Sequence, residues 1–294
     1  MNSRWMIAQG RTVLTAGAVL AVLLLAGGWL FSHPISVSAN QSVILLPAAM
    51  YHSVTDAGDS PAQYVISPSM LESDLQYLQA HGRETVTVRD LLAYVQDGAA
   101  LPEKPVLLTF DDGYYNNYKY AYPLLKQYGM RAVLSPVACL TERFSQTDEA
   151  EQEAWSYCTG RELREMADSG VFEIQNHSYD FHELKPRKGC LRMAGETAAA
   201  YRQCFLSDTR RAQDLFVSLG IEAPMCYTYP YGAVNAEAQA LTAVCGFSVT
   251  LSCEEGVTAL TRDTACLKGI RRNNRDGRWS SAQFWDALLA QTEG

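Results

Sequence analysis

Two adjacent carboxylates are the first residues whose types and positions could carry chemistry. Asp111 and Asp112 end the apolar run 106–110 and precede Gly113. Side chains alternate along a strand, so the two acids point in different directions. One can therefore bind a metal ion while the other handles protons. Asp-Asp-Gly is also ordinary turn chemistry, and a surface turn is the alternative that these residues leave open.

The chain contains only five histidines, and His177 and His182 are five residues apart. On a helix this spacing would separate the rings by about 140°, so a shared ligand site requires a loop. One carboxylate oxygen and two imidazole nitrogens make a three-ligand site with an open position for water, as in catalytic zinc. Such an ion lowers the pKa of its water toward about 7, and a second aspartate can take the proton. A purely structural histidine pair is the alternative.

The remaining candidates also follow predicted strands. His52 comes after the apolar run 43–50, His177 after the strand 171–175, and Tyr231 after the strand 226–229. In parallel sheets the carboxyl ends of the strands meet at one edge, where active sites lie. We therefore expect His52, Asp111, His177 and Tyr231 to converge.

Predicted strands and helices alternate along the chain, which is typical of an α/β fold with a parallel sheet. The clearest helix start is Ser67-Pro68, with serine as the cap and proline at the first helical position. A closed (β/α) barrel fits this length as one domain, and a doubly wound open sheet is the alternative. The other helices are predicted over 90–96, 118–128, 161–168, 196–219, 235–244 and 281–291, and the other strands over 85–88, 106–110, 131–136 and 247–251.

The chain contains three motifs in this order: Thr109-Phe110-Asp111-Asp112-Gly113, His177-Ser178-x-x-x-His182 and Tyr229-Pro230-Tyr231-Gly232. Together they resemble the polysaccharide deacetylase family (NodB-homology domains, carbohydrate esterase family 4). The likeness runs from about Leu46 to Arg275. It implies a deformed (β/α) barrel with a divalent metal at the rim, Zn²⁺ first and Co²⁺ or Ni²⁺ as alternatives.

The resemblance also implies roles for individual residues. Asp111 would be the general base, and Asp112, His177 and His182 would be the metal ligands. The backbone N–H of Tyr231 would help to hold the oxyanion of the tetrahedral intermediate.

The chain departs from the family pattern at two positions. Tyr229 stands where many members carry arginine, and no histidine follows His182 to supply the late Leu-x-His general acid. Met50-Tyr51-His52 is similar to the branch of poly-N-acetylglucosamine deacetylases, in which a histidine on the first strand is the acid. We therefore expect His52 to be the general acid, with a buried structural histidine as the alternative.

The amino terminus predicts an exported protein. Residues 12–31 carry no charge and are long enough to cross a bilayer, and Arg4 and Arg11 precede them. We expect residues 1–11 in the cytoplasm, 12–31 as a single-pass signal-anchor, 32–42 as a tether and 43–294 as an extracellular deacetylase domain. A signal peptide cleaved after Val37-Ser38-Ala39, giving a secreted protein, is the alternative.

The net charge limits the class of binding partner, and the cysteines bear on disulfide formation. The formal net charge of −8 becomes −10 without the two amino-terminal arginines, and such an acidic domain without a basic stripe argues against nucleic acid. All eight cysteines lie on the exported side, where disulfides persist. Local bridges Cys190–Cys204 and Cys253–Cys266 are plausible, and buried free thiols are the alternative.

The function expected from these observations is a metal-dependent hydrolase of carbon–nitrogen bonds other than peptide bonds. It would remove N-acetyl groups from N-acetylglucosamine units of a cell-surface polysaccharide, either poly-N-acetylglucosamine or peptidoglycan, and act as a monomer. Two alternatives remain, an O-acetyl polysaccharide esterase of the same fold and a non-catalytic carbohydrate-binding derivative.

Overall fold

The computed structural model describes residues 43–57, 61–147 and 152–292. The predicted cytoplasmic segment, transmembrane segment and tether of residues 1–42 lie outside the described residues. Within the described ranges, the helices are all too short or too polar to cross a membrane.

The strands are close to those predicted for the apolar runs. Because both faces of a central strand are buried, these runs are apolar along their whole length. In chain order the strands are β1 (Ile44–Tyr51), β2 (Ser53–Val54), β3 (Val65–Ile66), β4 (Glu84–Val86), β5 (Pro105–Asp112), β6 (Ala132–Pro136), β7 (Phe172–Ile174), β8 (Cys226–Thr228), β9 (Val249–Leu251), β10 (Val257–Leu260) and β11 (Asn273–Asn274).

The helices lie between these strands or after the last of them, and most begin at a side-chain cap. Ser67 accepts a hydrogen bond from the N–H of Met70 ahead of Pro68, which confirms the predicted start. A cap of this kind stabilises a helix by about 1 kcal/mol. The α-helices are α1 (Pro68–Ala80), α2 (Val88–Leu92), α3 (Tyr122–Gln127), α4 (Ala138–Gln146), α5 (Gly160–Asp168), α6 (Ala198–Ser218), α7 (Ala236–Val244) and α8 (Ser281–Leu289).

Parallel pairings run around a closed ring of strands. β1 pairs with β5, β5 with β6, and β6 with β7. A single bridge, Asn176–Tyr227, leads from the end of β7 to β8, which pairs with β9. A second bridge, Leu251–Ile270, leads to the segment of β11, and β11 pairs with β1. The α/β class is confirmed, and a closed ring does not match the alternative of a doubly wound open sheet.

Successive residues of a strand pack into two different apolar cores. Leu107 belongs to an apolar cluster with Ala48 and Val249, whereas its neighbour Leu108 packs with Trp285 of α8. This is the alternation expected when one face of a strand points into the ring and the other toward the helices. The packing holds the carboxyl ends of the strands, and the side chains that follow them, at one rim.

Several elements differ from the predictions. The helix α4 and the strand β10, which pairs with β1 antiparallel, fall in segments for which no element was predicted. The predicted local disulfides are not formed, since all eight cysteines are free. The Cys190 thiol instead donates to the carbonyl of Ala233, and that of Cys266 to the carbonyl of Thr261.

Candidate active site

Asp112 and two histidines meet at the end of β5. Asp112 Oδ1 lies 3.5 Å from His177 Nε2 and 3.1 Å from His182 Nε2. The ligand atoms of these three residues all lie within 4.8 Å of one another, and Asp112 and His177 are buried. The structure thus brings together all three side chains predicted as metal ligands.

The surroundings of this triad fit a divalent cation. His177 Nδ1 is 2.8 Å from the carbonyl oxygen of Thr228, so it carries the proton and leaves Nε2 as a lone-pair donor toward Asp112. Asp112 Oδ1 is buried and receives no hydrogen bond within the described part of the chain. A buried carboxylate oxygen without a partner is costly, and a cation between the three groups would satisfy it. One oxygen and two nitrogens are a ligand set of catalytic zinc sites.

Asp111 is held by a guanidinium. Arg272 donates to both carboxylate oxygens, Nη1 to Oδ1 at 2.7 Å and Nη2 to Oδ2 at 2.9 Å, and both side chains are buried. The arginine is itself fixed by Thr109 Oγ1 and the carbonyl of Ser252. Burial raises the pKa of Asp111, but Arg272, His177 and His52 together lower it more, and the net pKa lies below the ordinary value. Asp111 is therefore an oriented carboxylate.

His52 follows β1 and faces the same rim. Its Nδ1 is buried without a hydrogen-bond partner among the described residues. The ring packs edge-on against Tyr64, with the ring centroids 4.8 Å apart. Burial lowers the pKa of His52, while the charges of Asp111 and Asp112 oppose this effect. The histidine thus lies within the electrostatic reach of both aspartates.

Tyr231 borders the triad in a left-handed backbone conformation. Its φ is 57°, and the other non-glycine residues with positive φ in the described ranges are Asp112 and Ser178. Such conformations cost about 1–3 kcal/mol each and concentrate at functional sites. The Tyr231 ring stacks on His182 at 4.5 Å, and its hydroxyl donates to the His182 carbonyl. As the second residue of the turn Pro230–Gly232, Tyr231 has an N–H that the turn cannot satisfy.

Two tyrosines complete the rim around Asp112. Tyr114 and Tyr157 stack with centroids 5.0 Å apart. Burial and the neighbouring Asp112 raise the pKa of both hydroxyl groups. Tyr157 has no signal in the sequence, because its place at the rim depends on the pairing of its segment with Tyr114. The nearby tyrosines Tyr115 and Tyr229 are buried.

The sequence alone did not single out Arg272. One signal in the sequence is Tyr229, because it stands where many family members carry arginine and so leaves the site without that cation. In the structure that cation comes from the segment that closes the ring of strands, immediately before β11.

The loop that carries the histidines is tied to helix α6. Asp208 accepts hydrogen bonds from the backbone N–H groups of Tyr179 and Asp180, at 2.9 Å and 2.8 Å. Burial raises the pKa of this carboxyl to about 6. These bonds fix the backbone between His177 and His182, which positions both rings against Asp112.

Comparisons with known proteins agree with this geometry. The family model described as polysaccharide deacetylase matches residues 98–250. The poly-β-1,6-N-acetyl-D-glucosamine N-deacetylase of Staphylococcus aureus is 27% identical over 195 residues, which cover 65% of this chain and 62% of that protein. YxkH of Bacillus subtilis, which is named provisionally as a polysaccharide deacetylase, is 27% identical over 77% of this chain and 71% of its own.

Solved structures share the fold. A de-N-acetylase from Aggregatibacter actinomycetemcomitans superposes with a TM-score of 0.69 at 23% identity, covering 83% of this chain and all of that one. IcaB from Ammonifex degensii gives 0.66 at 24%, covering 85% and 98%. The fold, the aspartate–histidine triad and the match over more than half of the sequence lead to one conclusion: this chain belongs to the polysaccharide deacetylase family.

Proposed function

We propose that this protein is a metal-dependent N-deacetylase that removes acetyl groups from N-acetylglucosamine units of a cell-surface polysaccharide. The observation that carries the proposal is the buried, unpartnered Asp112 Oδ1 facing Nε2 of His177 and His182. The polymer would be poly-N-acetylglucosamine or peptidoglycan. The similarity to the staphylococcal N-deacetylase supports the first.

Asp112, His177 and His182 would hold the divalent ion, most simply Zn²⁺, with Co²⁺ or Ni²⁺ as substitutes. When bound, such an ion supplies Lewis acidity for the acetyl carbonyl and lowers the pKa of a water molecule. Asp111, oriented by Arg272, would accept the proton of that water as its oxygen bonds to the carbonyl carbon. The N–H of Tyr231 would donate to the developing oxyanion.

His52 would complete the reaction by giving a proton to the amide nitrogen. The carbon–nitrogen bond then breaks, leaving acetate and the free amine of the sugar. Because its pKa is lowered by burial, a protonated His52 is a strong acid that gives up its proton readily.

The first test distinguishes the role of Asp111 as the base from the role of Asp112 as a metal ligand. Asp111→Asn should abolish acetate release while the purified protein keeps its metal, because Asp111 is bonded to Arg272 and not to the triad. Asp112→Asn should lose both metal and activity. A chelator should inactivate the wild type, and added Zn²⁺, Co²⁺ or Ni²⁺ should restore it. Full activity of the Asp111→Asn variant would refute the assignment of the base.

A panel of acetylated oligosaccharides tests the substrate. We expect acetate from N-acetylated glucosamine oligomers and little from O-acetylated xylan fragments. The opposite preference would indicate an esterase, and bound metal without turnover on any glycan would indicate a carbohydrate-binding derivative. The intact triad and the oriented Asp111 are arguments against a carbohydrate-binding derivative.

The location of the enzyme is also a proposal, based on the uncharged segment 12–31. We infer a single-pass anchor with the enzyme outside the cell. Fractionation of the producing cell should find the full-length chain in the membrane, accessible to added protease from outside. A shortened chain in the medium would support signal cleavage instead.

A further inference from the structure

A cavity of about 310 Å³ lies beside β11, outside the metal triad. Its floor is formed by apolar residues of α8, and its walls carry amides, carboxylates and one indole. This volume is at the lower end of the roughly 300–1,000 Å³ of small-molecule sites. The residues that matter for its chemistry are Gln63, Glu255, Asn274, Asp276, Trp279 and Phe284.

Trp279 is exposed, yet its backbone is firmly held. The residue is 48% exposed, which is unusual for the largest apolar side chain. Arg275 Nη1 donates to the carbonyls of Asp276 and Trp279, at 2.6 Å and 2.9 Å. The guanidinium is fully buried and paired with the buried carboxylate of Asp74. The indole therefore stands on a rigid loop, as expected for a preorganised contact.

This loop packs against the segment that reaches the candidate active site. Gly277 donates to the carbonyl of Ala62, and a Cβ at Gly277 would lie 2.1 Å from the Val65 carbonyl oxygen. Gln63, in the same segment, accepts a hydrogen bond from Asn274 through its carbonyl. Its neighbour Tyr64 contacts His52. The cavity and the His52 side of the site thus share one wall.

The distance between the wall of the cavity and His52 is short compared with the length of a polysaccharide chain. Asn274 is in register with Met50 of β1, two residues before His52. Two residues along a strand span about 7 Å. The backbone beside the cavity therefore lies about 7 Å from the backbone of His52.

The lining suits a sugar ring. A hexosamine has a flat apolar face that stacks on an aromatic side chain, and hydroxyl or amide groups at its edge that bond amides and carboxylates. The carboxylate of Glu255 disfavours an acidic sugar, whereas that of Asp276 is ion-paired with Arg278. Neutral N-acetylglucosamine and cationic glucosamine both fit this charge.

We infer that the cavity at Trp279 is a saccharide subsite, which binds another unit of the same polymer while one unit is deacetylated at the triad. This inference rests on the proposed function and adds a second contact for the substrate. It makes the enzyme selective for a chain over a single sugar.

The kinetic test compares Trp279→Ala with the wild type on N-acetylglucosamine oligomers of increasing length. On long oligomers kcat/KM should fall about tenfold, which corresponds to about 1.4 kcal/mol. On the shortest oligomer that is still turned over it should be unchanged. Trp279→Phe should retain most of the activity. A uniform loss at all lengths, or no loss at any length, would overturn the subsite.

A binding test is independent of turnover. Titration calorimetry of the same oligomers into the Asp111→Asn variant should give an affinity that falls about tenfold when Trp279→Ala is added. Val217→Ala, which alters an exposed apolar residue of α6, is the control and should change nothing. If the wild type shows no activity but Trp279 still governs binding, the subsite stands and the proposed reaction fails. Unchanged binding would refute the subsite but leave the proposed reaction standing.

Discussion

The pair of Asp111 and Arg272 gives the candidate base its orientation and its charge. Two parallel hydrogen bonds fix the carboxylate, and the guanidinium keeps it ionised despite burial. A bidentate contact of this kind needs the planar fork of arginine, which a lysine ammonium cannot reproduce.

Arg272→Lys should lower kcat at least about tenfold with little change in KM, because the base is misoriented while substrate binding remains. The measurement is steady-state acetate release, with metal content determined in parallel. Arg271→Lys is the matched control, since Arg271 is exposed and its guanidinium contacts the Glu254 carboxylate and the Glu255 carbonyl. Equal activity of the wild type and Arg272→Lys would mean that Arg272 serves the fold alone.

His52→Ala should lower amide hydrolysis by about 10²–10⁴, the contribution typical of a general acid. It should affect the hydrolysis of 4-nitrophenyl acetate far less, because nitrophenolate leaves without a proton. His81→Ala, at an exposed histidine stacked on Tyr77, is the control. Equal losses on both substrates would assign His52 a structural role.

At the scale of elements, the turns after the strands aim the functional side chains. β5 ends with two successive residues of positive φ, 70° at Asp112 and 79° at Gly113. The chain must turn tightly here, because Gly113 lies against Pro136 of β6. The Asp-Asp-Gly sequence is therefore a turn that carries the candidate catalytic pair, and because both carboxylates are buried it does not match the alternative of a surface turn.

Gly113→Ala should be strongly destabilising, by more than about 2 kcal/mol, through left-handed strain and a steric clash. An added Cβ would lie 2.5 Å from Pro136 Cβ. Gly129→Ala is a matched control with a φ of 64° and open space around it, and should cost only about 1 kcal/mol of backbone strain. Urea unfolding of the two variants measures the difference. Equal losses would show that Pro136 can move away.

Asp208 on α6 predicts a pH dependence of stability. Its pKa is raised to about 6 by burial, from 3.8, so the folded state holds the proton more tightly than the unfolded state. The stabilisation is complete below about pH 4 and is lost as the pH rises to about 6, by up to about 3 kcal/mol. Asp208→Asn lacks this titration. The unfolding free energy of the wild type minus that of the variant should therefore fall between pH 4 and 6, and a constant difference would contradict the prediction.

The sequence predicted those elements whose residues share one environment along their whole length. Continuous apolar runs identified the strands of the ring, and the polar residues after them identified the triad. The two-residue strand β11 and the antiparallel strand β10 were missed, because so short a segment becomes a strand only through its partner β1. For the same reason the sequence did not single out Arg272. Its position is set by the closure of the ring of strands and not by a local sequence pattern.

For the whole molecule, the large core makes covalent crosslinks unnecessary. Buried cysteines such as Cys158 and Cys226 serve as small apolar residues, and burial raises the pKa of both thiols, which makes them poor nucleophiles. The exported location predicted from residues 12–31 would permit disulfides, but the fold does not use them.

The free thiols lead to a prediction about the intact protein. All eight cysteines should react with a thiol reagent in denaturant, and the melting temperature should be the same with and without dithiothreitol. A drop in melting temperature on reduction would reveal a disulfide and contradict the structure. Mass spectrometry after alkylation would then identify the pair.

The closure of the ring by β11 has a consequence for the timing of biosynthesis. The guanidinium that orients Asp111 lies 161 residues further along the chain. Contacts of such long sequence separation form late in folding, because a large loop must close first. A nascent chain on the ribosome would therefore contain the aspartate and both histidines long before it could use them. Catalytic competence would begin only when β11 docks, so activity reports that the chain has been made and folded at least as far as β11.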